Sequence, residues 1–310
     1  DYNYLDTWSP TGYPYGGSGG ISPTRFANPL FVWEETKKTE LGLELGFLQD
    51  RFLLTTNIYR NRTSNQLIPF RLSPQSGFTG FISNLPALIQ NQGIEFEFTS
   101  KNIHTPSFTW NTSFNLTFSK NKLLKYPDFE GSAYATVYEI GQPLSIVRGF
   151  QYTGVNPQNG VPQFRDVNGN NAISDPADLV MLGYTAPKAF GGIQNSFTYK
   201  NFSLDFFLQF VKQEGPGINY GYLSYSNGVR INKDESALKR WQKPGDLTDI
   251  PGASATSGQA IYNAYQSYYR LSSANWKDAS FIRLKNVSLK YNFGQLLHKS
   301  FISNLSVYVQ

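Results

Sequence analysis

The stretch Ser196-Phe-Thr-Tyr-Lys-Asn-Phe-Ser-Leu-Asp-Phe-Phe-Leu-Gln-Phe210 decides the fold of this chain. Apolar residues at 197 and 199, and at every second position from Phe202 to Phe210, alternate with mostly polar ones. Lys200-Asn201 separates the two runs, so the pattern predicts a β-hairpin with one aromatic and aliphatic face. The hairpin is dense in phenylalanine, and the length of its strands is close to the roughly 9–11 residues that cross a bilayer. Both features indicate a membrane hairpin.

The same hairpin pattern recurs three more times along the chain. The strands are predicted to pair as residues 39–47 with 52–58, 94–98 with 110–118, and 279–293 with 305–310. In residues 279–293 the apolar phase shifts, and one extra residue near Lys285-Asn286 predicts a β-bulge that restores a continuous apolar face. The chain is therefore predicted to be all-β, with about eight antiparallel strands in four hairpins.

The connections alternate between short turns inside the hairpins and long segments between them. The long segments are residues 1–37, 61–90, 120–188 and 211–278. This asymmetry is typical of outer-membrane barrels, which have short periplasmic turns and long extracellular loops. Trp110, Tyr199 and Phe202 lie next to the short turns, where an aromatic girdle is expected. The alternative for the apolar faces is the core of an ordinary β-sandwich.

Composition supports a β-rich chain and excludes several classes of protein. The 310 residues include 24 Phe, 20 Tyr and 27 Gly, and no cysteine, which excludes disulfides and zinc-thiolate sites. No run approaches 18 apolar residues, so helical membrane spans are excluded. The net charge of +5 is spread without a dense basic cluster. It therefore indicates solvated loops or a surface facing anionic lipid head groups, and no nucleic-acid partner is predicted.

Four groups of motifs carry a resemblance to a known family. They are Asn28-Pro29 with Trp33-Glu34-Glu35-Thr36; Gln163 to Ser174 with Leu182-Gly183, Pro187-Lys188 and Gly191 to Leu204; Arg240 to Pro251; and Ser280 to Tyr291. In this order, across nearly the whole chain, they resemble the SusC/RagA-like TonB-dependent outer-membrane transporters of Bacteroidetes.

The resemblance implies a plugged barrel of the 22-strand class, energised through TonB. It also implies an outer-membrane location, a SusD-like lipoprotein partner, and import of glycan oligosaccharides or peptides as nutrients. The sequence carries no TonB box and no plug, and both ends read as cut. We therefore expect residues 1–310 to be the C-terminal part of a transmembrane β-barrel whose plug domain and N-terminal strands are absent. This part is not expected to transport anything by itself.

Aromatic residues of the last long loop are the predicted substrate-binding residues. Their rings could stack on sugars or contact peptide side chains, and they could equally pack the loop on itself or against the lipoprotein. The predicted set is Tyr220, Tyr222, Tyr225, Trp241, Tyr265, Tyr268 and Trp276.

A calcium site is predicted as an alternative to ordinary turn chemistry in residues 166–178. Asp166, Asn168 and Asn170 place oxygen atoms at alternate positions, with Asp175 nearby, which suits a hard cation such as Ca²⁺. Position twelve, counted from Asp166, is Ala177 where a calcium loop of the EF-hand type has glutamate. Hydrogen bonds from these side chains to the backbone explain the residues without a metal.

Nothing in the sequence points to catalysis or to a required cofactor. His104 and His298 lie in or near predicted short turns without a nucleophile motif, and acidic residues such as Glu95 and Asp205 are expected to face a solvated lumen. The chain is therefore predicted to be a transporter fragment and not an enzyme. Two alternatives stay open: a β-rich surface module that binds glycans through loop aromatics, and a passive porin or adhesin barrel.

Overall fold

The computed structural model describes residues 4–13, 16–25, 27–71, 75, 80–132, 134–217, 232–233, 235–293 and 305–310. Contacts divide the chain into two compact units. The first contains Asp1–Leu41, Ile58–Gln92 and Lys120–Leu144, and the second contains Gly42–Asn57, Gly93–Ser119 and Ser145–Gln310. In the described ranges, no helix is long and apolar enough to cross a membrane.

One eight-stranded antiparallel sheet contains all four predicted hairpins. Its strands are β3 (Glu35–Phe47), β4 (Phe52–Arg71), β5 (Gly80–His104), β6 (Phe108–Lys125), β11 (Ala189–Tyr199), β12 (Phe202–Lys212), β15 (Phe281–Asn292) and β16 (Ser306–Val309). Their spatial order is β16-β15-β12-β11-β6-β5-β4-β3. Among these eight strands, each pairs with the one before it and the one after it in the chain. Because β3 and β16 are the two edges, the sheet is an open portion of a barrel wall.

The register of the central hairpin confirms the predicted alternation and the predicted turn. Tyr199 pairs with Phe202, which leaves Lys200-Asn201 as a two-residue loop, and Lys200 takes a positive φ of 51°. On the next strand pair, Phe207 lies opposite Asn286 and Leu208 lies opposite Leu284. Lys285 has no partner in that ladder, so the predicted bulge is confirmed.

The prediction of a loop over residues 61–90 is wrong for most of its length, because β4 and β5 continue as paired strands. Polar side chains join them: the Arg62 Nε donates to the Gln90 Oε1 at 2.8 Å, and the Asn84 Nδ2 donates to the Asn65 carbonyl at 2.8 Å. Asn84 also accepts from the Val32 N–H at 3.0 Å. These residues resemble a loop by composition, but their side chains cross-link the backbone of an extended sheet.

The first unit has its own small core on these extended strands. Ala87 and Ile89 of β5 and Leu123 of β6 are buried, and Tyr138 and Leu144 are among the side chains that pack against them. This packing gives the extensions of β5 and β6 a buried apolar face. Burial of these apolar side chains away from water stabilises the extensions.

Short strands also lie within segments that the sequence suggested were loops. Residues 1–37 contain a small hairpin, β1 (Thr7–Pro10) with β2 (Ile21–Arg25). The other added elements are β7 (Ile146–Phe150), β8 (Tyr152–Val155), β9 (Pro162–Phe164), β10 (Leu179–Tyr184), β13 (Glu214–Pro216), β14 (Trp276–Asp278) and helix α1 (Ala260–Ser267). The long connections of the second unit are therefore folded loops rather than irregular coil.

Candidate functional site

The alternating apolar face of the sheet is exposed. On β15 the Ile282 side chain is 78% exposed and Leu284 is 57% exposed, and on β3 Leu41 is 69% exposed. A β-sandwich would bury such a face against a second sheet. The sandwich interpretation is therefore wrong, and the exposure fits a wall whose apolar side is solvated by lipid.

Aromatic rings cover this face near the short turns. Trp110 stacks on Phe197 with ring centroids 5.5 Å apart, and Phe197 stacks on Phe206 at 6.1 Å. Phe202 and Tyr291 are 4.6 Å apart in the same region. Two of the predicted girdle residues, Trp110 and Phe202, thus lie in two groups of contacting aromatic rings near the turns.

A polar network interrupts the apolar face beside these rings. Asn195 is buried and pairs with Thr112 on β6 and with Phe206 on β12. Its Oδ1 accepts from the Trp110 Nε1 at 2.9 Å and from the Thr112 Oγ1 at 2.7 Å. The Thr112 Oγ1 in turn accepts from the Asn102 Nδ2 at 2.7 Å. Because these three donors each have an acceptor, the network lowers the cost of polar groups on an apolar face.

Two adjacent glycines let aromatic rings lie flat on both faces of β11. A Cβ at Gly191 would collide with the Asn115 carbonyl and the Phe210 ring, and a Cβ at Gly192 would collide with the Phe207 ring. Phe210 also stacks on Phe114 at 5.9 Å. The Gly191-Gly192 pair of the family-like motif therefore has a packing role on both sides of the wall.

Ion pairs tie the loops to the sheet where β11, β12 and β15 leave it. Lys188, just before β11, pairs with Glu214, and the Lys212 Nζ lies 2.6 Å from the Asp278 Oδ2. The Trp276 Nε1 donates to the Glu214 Oε2 at 3.3 Å. The hydrogen bond from Lys188 lowers the pKa of the Glu214 carboxyl, so the pair stays charged near neutral pH. No motif in the sequence predicted these two ion pairs.

The loops of the second unit are held by a buried aromatic cluster. Phe150, Tyr265 and Tyr269 are buried, and edge-to-face contacts join Phe150 to Tyr268 at 5.0 Å and Tyr152 to Tyr269 at 5.2 Å. Burial raises the pKa of Tyr269 to about 12, so its hydroxyl stays neutral. The cluster joins residues that lie more than a hundred positions apart in sequence.

The described aromatic residues of the predicted substrate set all pack within the loops. The Trp241 Nε1 donates to the Pro157 carbonyl at 2.9 Å, and its ring lies against Gly160. Tyr265 is fully buried, and the Tyr268 hydroxyl donates to the Ile173 carbonyl at 3.1 Å. Trp276 is bonded to Glu214 beside the ion pairs described above. These contacts favour the packing alternative, and substrate contact stays a prediction.

Three members of the predicted substrate set lie outside the described residues, and so does one histidine. The three are Tyr220, Tyr222 and Tyr225, and the histidine is His298. Their roles stay predictions. His104, the other histidine, lies at the end of β5 and lines a cavity with Gln49, Arg51 and Lys101.

The predicted calcium loop is closed by hydrogen bonds from its own backbone. The Asp166 oxygens accept from the Gly169 N–H at 2.7 Å and from the Asn171 N–H at 2.6 Å. Asn168 and Asn170 each accept from the backbone N–H two residues further on, and Asp175 is exposed. In the part of the chain that the structure describes, no cluster of three His, Cys, Asp or Glu residues suits a metal. Calcium binding stays a prediction.

An acidic residue close to the candidate calcium ligands in sequence organises this loop, in a role that the sequence did not predict. Asp178 is completely buried, and its carboxylate accepts from the Val167 N–H at 2.8 Å and from the Ser174 N–H at 2.8 Å. These backbone hydrogen bonds lower the pKa of the Asp178 carboxyl. A buried aspartate surrounded by backbone donors has no periodic signal in sequence, so only the fold reveals it.

Comparison with protein families places the whole chain in one group. The family model described as TonB dependent receptor-like, beta-barrel, matches residues 2–310. TonB-dependent receptor P3 of Formosa agariphila is 30% identical over 94% of this chain and 30% of that protein. TonB-dependent receptor SusC of Bacteroides thetaiotaomicron is 27% identical over 92% of this chain and 28% of that protein. The chain thus spans about a third of the length of these relatives.

Comparison with solved structures confirms the fold. The RagAB peptide importer in its open-open state matches with a TM-score of 0.78 and 21% identity, over 99% of this chain and 34% of that one. The RagAB peptide transporter matches with a TM-score of 0.77 over the same shares. At this level of identity the match shows the architecture alone.

Proposed function

The chain belongs to the TonB-dependent receptor-like β-barrel family, and from this premise we propose that it forms wall strands and loops of an outer-membrane nutrient importer. The exposed apolar face carries the proposal, because Ile282 and Leu284 stand on a surface that only lipid or another apolar partner would cover. The short turns would face the periplasm and the folded loops would face the exterior. The chain would cross the membrane with each strand of the sheet.

The rest of the importer is proposed to lie in a longer protein. The relatives are about three times as long as the aligned region, which leaves room for a plug and further wall strands. TonB would act on that other part, so transport would follow from movement of the plug rather than from chemistry in residues 1–310. The position of this region in the C-terminal part of the barrel stays a prediction.

The substrate and the capping partner are proposed from the family. A SusD-like lipoprotein would cover the loops, and glycan oligosaccharides or peptides would be the imported nutrients. The folded loops of the second unit support this proposal, because the aromatic cluster around Phe150 and the ion pair of Lys188 with Glu214 hold them in a defined shape that a partner can recognise. No catalytic role is proposed, since the family is one of transporters.

A pair of neighbouring substitutions tests the role of the wall. Leu289 lies on the apolar face and Ser288 on the opposite face of β15. Leu289→Arg in the full-length protein should reduce the folded barrel in the outer membrane, because a charge facing lipid costs up to about 2–4 kcal/mol. Ser288→Arg should leave the amount of folded barrel close to wild type. Equal loss in both variants would contradict the proposed orientation.

Dependence on TonB separates active import from a passive pore. Uptake of glycan oligosaccharides and of peptides would be measured in cells with the wild-type gene, in cells with the gene deleted, and in cells without functional TonB. The proposal predicts that both deletions abolish uptake of the same substrate. Uptake that persists without TonB would favour the porin alternative.

A further inference from the structure

A cavity at the short-turn end of the wall is lined by basic groups. It has a volume of about 230 Å³, and Gln49, Arg51, Lys101 and His104 line it. Gln49 and Arg51 belong to the turn between β3 and β4, whereas Lys101 and His104 end β5. No carboxylate is among these lining residues. The cavity therefore concentrates positive charge without an internal counterion.

The arginine in this cavity is held in place by the backbone of the neighbouring strand β5. The Arg51 Nε donates to the Lys101 carbonyl at 2.9 Å, and Arg51 also donates through Nη2 to the Asn102 carbonyl. Its guanidinium lies 5.7 Å from the centre of the Phe52 ring. These contacts use one edge of the guanidinium and leave Nη1 for a ligand. A preorganised arginine of this kind suits a phosphate oxygen.

The other two basic side chains of the cavity have no partners within the described residues. Neither the Lys101 ammonium nor the His104 ring makes a hydrogen bond or an ion pair there, although both line the same cavity. The nearest acidic residue in sequence, Asp50, directs its carboxylate toward Gly46 on β3. It is not a lining residue of the cavity. The positive charge is therefore available to an external anion.

The place of the cavity in the wall indicates where that anion comes from. Phe52 stacks on Phe98 at 6.3 Å, and both continue the apolar alternation of β4 and β5. His104 lies six residues after Phe98 on the same strand, so it shares that face. Lys101, at an odd spacing from Phe98, starts from the opposite face and lines the cavity near the end of the strand. A row of apolar side chains beside a basic cavity matches a phospholipid. Its acyl chains would lie on the apolar side chains, and its phosphate head group would occupy the cavity.

We propose that Arg51, Lys101 and His104 bind the phosphate of an anionic phospholipid at the short-turn rim, with its acyl chains on Phe52 and Phe98. The site rests on the proposed placement of this sheet in a membrane. It would anchor the depth of two adjacent hairpins in the bilayer. A lipid is favoured over free phosphate because the apolar rings adjoin the cavity.

Lipid binding by the full-length protein tests the site. The protein would be purified in detergent, and phosphatidylglycerol binding would be measured by native mass spectrometry. Lys101→Gln should weaken binding about fivefold, and Arg51→Gln with Lys101→Gln about 30-fold, since each basic residue near a membrane surface contributes a factor of about five. Lys101→Gln should fold normally, because its ammonium has no partner in the described structure.

A lysine in another short turn is the matched control. Lys200→Gln removes the same charge at the same end of the sheet but outside the cavity, and it should leave binding unchanged. Equal weakening by Lys200→Gln and Lys101→Gln would overturn the site. Inorganic phosphate that displaces the lipid at millimolar concentration would overturn the choice of a lipid ligand. A protein that stays soluble without detergent would overturn the proposed function together with the site.

Discussion

Replacing Tyr265 by phenylalanine removes a hydroxyl from the centre of the loop cluster. Tyr265 lies in α1, its side chain is fully buried, and its ring centre is 4.6 Å from that of Tyr269. Among the residues that the structure describes, its hydroxyl has no hydrogen-bond partner. The substitution therefore deletes a polar atom that is out of contact with water.

The expected effect is an increase in the stability of the loops. A buried polar group without a partner destabilises a fold by about 1–3 kcal/mol. Removing it while keeping the aromatic ring retains the packing against Tyr269, so most of that penalty should be recovered. In terms of local opening, this corresponds to hydrogen exchange that is about 5- to 150-fold slower.

A neighbouring tyrosine gives the opposite expectation and serves as the control. The Tyr268 hydroxyl donates to the Ile173 carbonyl at 3.1 Å. Tyr268→Phe removes that hydrogen bond, which is worth about 0.5–1.5 kcal/mol, and should speed exchange about 2- to 13-fold. The two substitutions delete the same kind of atom from tyrosines three positions apart. Opposite effects on hydrogen exchange therefore could not come from a general loss of tyrosine.

Hydrogen exchange measured by mass spectrometry provides the assay. The full-length protein would be labelled in detergent, and peptides covering residues 146–155 and 260–276 would be followed. Slower exchange in Tyr265→Phe than in wild type is predicted for both peptides. Faster exchange in Tyr265→Phe would refute the reasoning, because it would mean that the hydroxyl makes a stabilising contact.

Three further test substitutions, one of them with a control, probe the wall and the loops. Gly191→Ala should destabilise the folded barrel by about 1–3 kcal/mol through overpacking and lower its yield. The control Gly42→Ala, whose new methyl group would meet only a flexible side chain, should be tolerated. Heat-dependent gel mobility would measure the folded fraction of both. Asn195→Leu leaves the Trp110 indole N–H without its acceptor and should shift the tryptophan emission and lower stability by about 1–3 kcal/mol. The Asp178 carboxyl has a lowered pKa, so the stability that it gives the folded loops is present above about pH 4 and is lost as pH falls through that lowered pKa. Proteolysis of the loops should therefore accelerate in acid, and Asp178→Asn should remove this pH dependence.

The strands of the sheet were predictable because a sheet with one apolar face imposes a period of two on the sequence. The alternation around Lys200-Asn201 predicted both strands and the turn, and the phase shift near Lys285 predicted a bulge within one residue of its observed place. Each residue on such a wall contributes to the pattern independently of distant parts of the chain. The family resemblance rested on the same segments.

The loops were not predictable in the same way, because their contacts join distant residues. The sequence around Tyr152 shows no regular pattern. Its N–H nevertheless donates to the Ser273 hydroxyl, 121 residues away, at 3.0 Å. The prolines and glycines of residues 61–90 predict a loop, whereas the observed strands are cross-linked by side-chain bonds such as that of Arg62 with Gln90. Local composition carries little information about such contacts.

The orientation of the sheet is the central claim, and it is directly measurable because residues 1–310 contain no cysteine and any cysteine elsewhere in the full-length protein would be replaced by serine. Single cysteines at Ile282 and at Arg283, which are neighbours on β15 and point to opposite faces, would be labelled with a fluorophore in the full-length protein reconstituted in lipid bilayers. Quenching by brominated lipid should be strong at position 282 and weak at position 283, and a water-soluble quencher should give the reverse order. Equal quenching at the two positions, or the opposite order, would contradict a wall whose apolar face meets lipid.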